Sequence, residues 1–223
     1  LCYVPLQMPL VTDHYYFVSA TKADAPRLLE IALKGFLNAE PHVKGLQLNE
    51  SELFDQVKWI VESAVNTEYS VMVFEKASDK LVGFRLYTVS HRDQSQDFSP
   101  FELDYDSMST GNLLGNQKSK IWSLVPNAEK ILRQEITFVD PHHQRHGIAN
   151  HFISLLKIDQ LKSDGFAGIQ SEATSHANQK MLTKLGYSKL SESDPSEYVR
   201  TDGSIVTLPD ATKSVQLFFL QFD

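Results

Sequence analysis

The stretch of sequence that decides the fold is Ile136-Thr137-Phe138-Val139-Asp140-Pro141-His142-His143-Gln144-Arg145-His146-Gly147-Ile148-Ala149. An apolar strand stops at Pro141, a basic turn follows, and Gly147 opens a helix. The first backbone N–H groups of a helix have no partner within it and lie at the positive end of its dipole, so they bind anions. Gly147 and Ala149 let a pyrophosphate approach the backbone, and Arg145 adds a positive charge. The segment therefore predicts a loop that binds a phosphorylated cofactor.

Two other nucleotide-binding loops do not fit this segment. A Walker loop ends in Gly-Lys-Ser/Thr, and the sequence contains no such tripeptide. The dinucleotide fingerprint places three glycines within six residues, whereas this loop has only Gly147. The motif that remains is Gln-x-x-Gly-x-Ala. It is informative here because it lies between a Val-Asp-Pro strand end and an amphipathic helix.

The composition favours one acidic, cytoplasmic domain. The 223 residues, 42% of them apolar, suit a single sizeable core. A formal net charge of −7 argues against nucleic-acid binding, which relies on clustered Lys and Arg. The single cysteine, Cys2, cannot form an intrachain disulfide, which favours a reducing compartment. No apolar run approaches the roughly 20 residues that span a bilayer, so we expect no membrane segment and interpret residues 1–13 as an N-terminal extension.

Upstream of the loop, aromatic and β-branched residues at 15–18 predict a first strand. Thr21 and Asp24 form a variant capping box for a helix that ends before Pro41. Apolar periodicity then predicts a second helix and two strands joined by a tight turn, over residues 51–66, 69–76 and 80–90. Residues 91–130 form a long polar excursion with one short helix, and such loops often serve as lids.

Downstream, the chain continues with a strand, a long helix, a short strand, another helix and two final strands. Their ranges are 132–140, 147–162, 167–172, 175–185, 188–190 and 214–222. Gly186 suits the left-handed cap that ends the helix over 175–185. The pattern predicts a single mixed α/β domain built around one sheet.

The loop and the last helix resemble those of the GNAT acetyltransferase superfamily. The family's acetyl-CoA loop, Arg/Gln-x-x-Gly-x-Gly/Ala, matches Gln144–Ala149, and its helix closing in Leu-Gly-Tyr/Phe matches Ser175–Tyr187. The resemblance implies a mostly antiparallel twisted sheet of about seven strands with about four helices, and acetyl-CoA as co-substrate. It implies that the cofactor contacts are Phe138, Val139, Gln144, Arg145, His146, Gly147, Ile148, Ala149 and Ser175.

A narrower resemblance links the chain to the insect-type arylalkylamine N-acetyltransferases. Their first helix ends in Phe-x-x-x-Glu-Pro, which this chain reproduces over residues 36–41, and their Val-Asp-Pro strand end is present at 139–141. The match implies that Glu40 is the general base for direct attack of an amine on the thioester in a ternary complex. Glu135, on the strand before the loop, is the reserve base, because related enzymes carry a catalytic Glu on that strand.

The proton donor for the leaving thiolate departs from the family pattern. Many members use a Tyr four residues before the Gly that closes the last helix, and Leu182 occupies that position here. The insect-type enzymes have a Ser-x-x-x-Ser pair instead, which reads Thr174 and Asn178 in this chain. Thr174 keeps a hydroxyl, whereas Asn178 can orient a water but cannot act as an acid. Both are candidate catalytic residues by position.

Four histidines near the loop, His142, His143, His146 and His151, raise the question of a metal site. Zinc takes four ligands, and no Cys or well-placed carboxylate completes a set here. We interpret them as polar loop residues, with His146 near the pyrophosphate, and expect no metal.

The sequence thus predicts an acetyl-CoA-dependent N-acetyltransferase whose acceptor is a small primary amine of the dopamine, tyramine or serotonin type. Three alternatives stay open: a polyamine acetyltransferase, a protein or peptide acetyltransferase, and a non-catalytic acyl-CoA-binding module.

Overall fold

The computed structural model describes residues 11–102, 116–193, 204, 208 and 212–222. Seven strands form one sheet: β1 (Tyr15–Ser19), β2 (Val71–Glu75), β3 (Lys80–His91), β4 (Lys130–Val139), β5 (Gly168–Ala173), β6 (Ser188–Ser193) and β7 (Val215–Gln221). The helical segments of the described chain are α1 (Val11–His14), α2 (Ala25–Ala39), α3 (Pro41–Leu46), α4 (Glu50–Ala64), α5 (Asn116–Leu124), α6 (Ile148–Ser154), α7 (Ile158–Ser163) and α8 (His176–Lys184).

The strand order across the sheet is β1-β2-β3-β4-β5-β7-β6, and every neighbouring pair is antiparallel except β4 and β5. Apolar residues on one face pack against α2 and α4. On the other face, separate clusters form with α6 and with α7 and α8. The sheet therefore buries side chains on both faces, and the β4–β5 junction lies in the middle of the sheet.

The parallel strands β4 and β5 pair over only a short length. Their register runs from Leu132 opposite Ile169 to Gln134 opposite Ser171. Beyond that point β4 stays with β3 as far as Val139, opposite Gly83, while β5 stays with β7 to its last residue. The two central strands consequently part, and a gap opens between them toward the carboxyl end of β4.

A β-bulge marks the point where the strands part. The β3–β4 register steps from Leu86 opposite Ile136 to Tyr87 opposite Gln134, so Glu135 has no partner residue in β3. The extra residue turns the Glu135 side chain to the same face as Ile136, where its carboxylate accepts a hydrogen bond from Thr88. A bulge bends a strand and re-aims a side chain, and here it directs a carboxylate to the inner end of the gap.

The predicted α/β class and the seven-stranded, mostly antiparallel sheet are confirmed. The Thr21–Asp24 capping box is present, and Gly186 has the expected positive φ of 87°. The described part of the excursion of 91–130 contains the α-helix α5 and a 3-10 turn at Gln94–Gln96, and residues 103–115 lie outside the described residues.

One boundary was wrong. The helix predicted over 147–162 is two helices, because Ile148 and Phe152 of α6 pack into one apolar cluster and Leu161 of α7 packs into another. The helix predicted to end before Pro41 does so, at Ala39. Pro41 then starts α3, which was not predicted, since proline at the first helical position lacks only an N–H that would be unpaired anyway.

Candidate active site

The predicted phosphate loop connects β4 to α6 and has an unusual backbone. After a 3-10 turn at Pro141–His143, Arg145 adopts a φ of 65° and Gly147 a φ of 84°. The N–H groups of residues 145–150 donate to no backbone carbonyl or side chain within the described part of the chain. Left-handed residues that alternate with right-handed ones turn successive N–H groups to one side, which creates a concave site for an anion.

The end of β4 presents its backbone to the gap. The Asp140 N–H donates to Val82 O at 2.8 Å, on the β3 side. Because successive peptide groups of a strand point to opposite sides, the N–H and C=O of Val139 face the gap. The side-chain amide of Gln144 donates to this Val139 carbonyl at 3.1 Å. The loop is thereby tied to the edge of the gap, and the Val139 N–H remains directed into it.

The loop is also packed from outside. The Tyr15 hydroxyl and His143 Nδ1 are 3.0 Å apart, and the Tyr15 ring also lies near that of His146. A Cβ on Gly147 would come within 2.9 Å of a Val11 methyl group. Ile148 is buried, so only its backbone can reach a ligand. Arg145 and His146 are exposed, and Ala149 is half-buried.

Two carboxylates lie side by side at the inner end of the gap. Glu135 forms an ion pair with Lys118 of α5 at 2.7 Å, with side-chain exposures of 4% and 15%. Glu172 of β5 accepts a hydrogen bond from the Gln170 amide at 3.1 Å. These four residues belong to a small pocket whose lining is Lys118, Arg133, Gln134, Glu135, Gln170, Ser171 and Glu172.

The two carboxylates have different proton affinities. Burial by itself would raise the pKa of Glu135, but the nearby Lys118 and Arg133 charges outweigh it, and the pKa lies below its usual value. Burial raises the pKa of Glu172 to about 7; the Lys118 charge opposes this rise and the Glu135 charge adds to it. At neutral pH, Glu135 is an ionised partner of Lys118, while Glu172 can hold or release a proton.

Glu40 is not a loop residue but the N-cap of α3. Its Oε2 accepts hydrogen bonds from the N–H groups of His42 at 2.6 Å and Val43 at 2.9 Å. Its Oε1 is buried and has no donor among the described residues, although His42 Nδ1 lies 3.5 Å away. Gly35 of the preceding helix packs against the Phe138 ring. The α2–α3 junction therefore lies against β4, with one carboxylate oxygen uncommitted.

The residues that follow β5 form the opposite wall of the gap. Thr174 is half-buried, and the Ser175 hydroxyl caps α8 by accepting from the Asn178 N–H at 3.3 Å. Gln179 ties the helix to the sheet through bonds to the carbonyls of Ala173 and Ser214. Asn178 thus lies in the first turn of α8, and Thr174 lies between β5, the strand that carries Glu172, and the N-cap of that helix.

Glu172 and Lys118 were missed by sequence reasoning. Glu172 lies in a short strand in which Gln170 and Glu172 share one face. This alternation indicated only that their polar side chains point away from the apolar cluster. Lys118 lies in the polar excursion, where nothing local distinguishes it from other lysines. Trp59 and Trp122 have packing roles: Trp59 also donates to Ser99, and Arg92 lies over the Trp122 ring.

Within the described ranges, no group of three or more His, Cys, Asp or Glu side chains could hold a metal ion. The helices of the described chain include none that combines the length and apolarity needed to cross a bilayer.

Several solved structures, acetyltransferases among them, share this architecture. Arylalkylamine N-acetyltransferase 2 from Aedes aegypti has a TM-score of 0.73 at 15% identity, over 94% of this chain and 99% of that one. Drosophila melanogaster polyamine N-acetyltransferase, which forms N-acetylagmatine, has a TM-score of 0.74 at 13% identity, over 93% and 100%. The C-terminal condensation domain of Ebony, in complex with β-alanyl-dopamine, has a TM-score of 0.70 at 19% identity, over 93% and 99%.

No protein-family model matches the sequence, and comparison with curated proteins gives no significant match. At these low identities the structural likeness establishes the fold.

Proposed function

We propose that this chain, which has the fold of the GNAT acetyltransferases, transfers the acetyl group of acetyl-CoA to a small primary amine. The observation that carries the proposal is the gap between β4 and β5. It leads from a loop with unpaired N–H groups, at one end, to a pair of carboxylates at the other. A phosphorylated acyl donor requires an anion-binding loop, a proton-accepting site and an open strand edge that joins the two.

The residues present fit acetyl-CoA. The N–H groups of residues 145–150 would hold the pyrophosphate, with Arg145 as an added charge. The stretch of β4 from Val139 back to Glu135 is about 13 Å long at the usual rise per residue, a span suited to an extended pantetheine arm. Phe138 and Val139 would bind the arm through their backbone, and Ser175 and the first turn of α8 would border it. When bound, the co-substrate supplies an electrophilic thioester carbonyl.

The chain's own residues would supply the proton transfer. A primary amine resembles Lys, with a pKa of about 10.4, and must lose a proton before it can attack. Glu40 is the proposed base, because its Oε1 has no donor and its position ends the helix that lies on Phe138. Glu172 is the competing base, because it lies where the strands part and its pKa, raised by burial to about 7, suits proton uptake at neutral pH. The Val139 N–H would stabilise the developing oxyanion.

The proposed acceptor is an arylalkylamine. The Phe-x-x-x-Glu-Pro motif and the Val-Asp-Pro strand end support this choice. The second candidate is a polyamine or agmatine-like amine. It is favoured by the pocket beside Glu135 and Glu172, whose described lining consists of charged, amide and hydroxyl side chains without an aromatic ring. A polar wall of this kind suits an acceptor with a second cationic group.

The test is a calorimetric titration with acetyl-CoA followed by an assay of CoA release with a panel of amines. We expect saturable binding of acetyl-CoA and turnover with tyramine, dopamine or serotonin. Turnover with agmatine or spermidine alone would favour the second candidate. Binding without turnover on any amine or peptide would identify a non-catalytic acyl-CoA-binding module, and absence of binding would reject the proposal.

A further inference from the structure

The fold buries an arginine that it does not neutralise. Arg85 of β3 has 0% exposure. Its Nε donates to Thr137 Oγ1 at 3.0 Å, and its guanidinium carbon lies 5.3 Å from the centre of the Phe152 ring in α6. Its terminal nitrogens, Nη1 and Nη2, have no acceptor among the residues that the structure describes. Because a guanidinium stays protonated in proteins, Arg85 is a buried positive charge without a counter-charge on those nitrogens.

Three more buried polar atoms near Arg85 also have no partner in the described ranges: Tyr87 Oη, Tyr187 Oη and Gln134 Oε1. Burial raises the pKa of both phenols, and the Arg85 charge opposes the rise in each. For Tyr87, hydrogen bonding to the Arg85 side chain also opposes the rise. Buried polar groups in native proteins are nearly always hydrogen-bonded. Tyr87 lies opposite Gln134 in the β3–β4 register and shares an apolar cluster with Tyr187. The buried polar atoms of this group and of Arg85 therefore indicate a site for a polar ligand atom or for ordered water.

The position of this cluster relates it to the gap. Gln134 is the last residue of β4 that pairs with β5. Tyr87 packs with Leu182 of α8 in one apolar cluster, and Tyr187 belongs to the same cluster. The group thus lies on the α6–α8 face of the sheet, beneath the inner end of the gap. Glu135 lies on the other face, where it meets Thr88 and Lys118.

We infer that Arg85, with Tyr87 and Tyr187 beside it, receives the sulfur of the acyl thioester as a thiolate. The inference rests on the proposed function. In the reaction a C–N bond forms, the C–S bond breaks, and its electron pair stays on sulfur. The amine's proton goes to a carboxylate, while the guanidinium stabilises the thiolate by charge and hydrogen bonding.

This assignment accounts for the departure from the family pattern. Leu182 and Asn178 occupy two of the three positions at which the family has a proton donor, and neither can act as an acid. A fixed, buried positive charge lets sulfur leave unprotonated, so no acid is needed at those positions.

The test compares binding of CoA with that of desulfo-CoA, which lacks the thiol, by calorimetry in two buffers of different ionisation enthalpy. At about pH 7.5 a free alkyl thiol is mostly protonated. The wild-type chain is expected to release close to one more proton on binding CoA than on binding desulfo-CoA, because the thiol ionises beside Arg85.

Arg85→Met keeps the volume and removes the charge. It is expected to abolish the extra proton release and lower kcat about 100-fold, the usual size of a lost transition-state charge contact, with desulfo-CoA affinity unchanged. Its thermal unfolding midpoint should equal or exceed that of wild type, since an unpaired buried charge is lost. Arg27→Met is the matched control: its guanidinium also lies 5.3 Å from a ring, that of Phe74, but it is exposed.

Should Arg85→Met fail to fold, Thr137→Val removes the group that positions the guanidinium and is expected to reduce the proton release in part. Equal proton release from CoA and desulfo-CoA in the wild type, or unchanged release in the folded Arg85→Met variant, would overturn the inference. If neither ligand binds the wild type, the proposed function itself fails.

Discussion

Gln134 and Ser171 form the last residue pair that joins β4 to β5. The positions of the two carboxylates, the Arg85 cluster and the phosphate loop can be described relative to this pair. Glu135 and Glu172 follow it on one face of the sheet, the Arg85 cluster lies on the other, and the phosphate loop lies at the far end of the opening. The parting of two strands therefore creates the separate places that we propose for an acyl donor and an acceptor.

Gly147→Ala is expected to weaken CoA binding at least about tenfold, which corresponds to about 1.4 kcal/mol. A Cβ is strained at a φ of 84° and would meet Val11 at 2.9 Å, so the loop must shift. Gly165→Ala is the control, because it has a φ of 83° with nothing within 4 Å of its Cβ. It should cost about 1 kcal/mol of stability and leave CoA affinity intact. If the two variants bound CoA with equal affinity, the loop would have no role in binding the cofactor.

Glu172→Gln is expected to stabilise the protein at pH 8 and not at pH 4. Burial raises the pKa of Glu172 from 4.5 to about 7 in the folded state. At a pH between these two values, the Glu172 carboxyl group is protonated in the folded state and ionised in the unfolded state. Stability from this group is complete below about 4.5 and is lost as the pH rises through about 7. The gain at pH 8 should approach about 3 kcal/mol.

Urea unfolding of wild type and variant at both pH values measures this difference. Glu68→Gln, an exposed position, should change stability by no more than about 0.5 kcal/mol at either pH. A Glu172→Gln effect that does not depend on pH would mean that the carboxyl group titrates normally.

Lys118→Met is expected to destabilise the protein by about 3–5 kcal/mol, because it leaves the Glu135 carboxylate buried without its partner. Adding Glu135→Gln should restore most of that loss. The comparison pair is Lys34 and Glu30, 2.6 Å apart with exposures of 70% and 64%; Lys34→Met should cost under about 1 kcal/mol. Chemical denaturation of the single and double variants measures the coupling, and additive losses would contradict a buried pair.

Glu40→Gln should lower kcat with acetyl-CoA and the preferred amine by about 100-fold or more, the usual contribution of a general base. Its acetyl-CoA affinity should stay within about twofold, because the amide oxygen can still cap α3. Glu172→Gln should lower kcat less than tenfold. The rates are measured across the pH range, and the reverse pattern, with loss of a titration near pH 7 in Glu172→Gln, would transfer the role of base to Glu172.

The fold was largely readable from local pattern. Strand alternation, the Thr21–Asp24 cap and the glycine at 186 each act within a few residues, so the sequence exposes them directly. The prediction of a helix boundary failed where tertiary packing overrode the local apolar pattern. Apolar spacing continues through 147–162, yet Ile148 and Leu161 pack into different clusters and the helix breaks between them. At Pro41, by contrast, α2 has ended as predicted, and a further helix begins there with Glu40 as its N-cap.

By itself, the sequence determined the loop from Gln144 to Ala149, since a strand end, a basic turn and a helix-opening glycine are contiguous and their backbone geometry is local. It could not place Glu172 beside Glu135 or Arg85 beneath the gap. These residues come from separate strands, and their proximity follows from the β4–β5 register and from the bulge at Glu135. The tertiary structure also decided their chemistry, because burial and neighbouring charges set whether a carboxylate is a fixed ion, as Glu135 is, or a proton acceptor near pH 7, as Glu172 is.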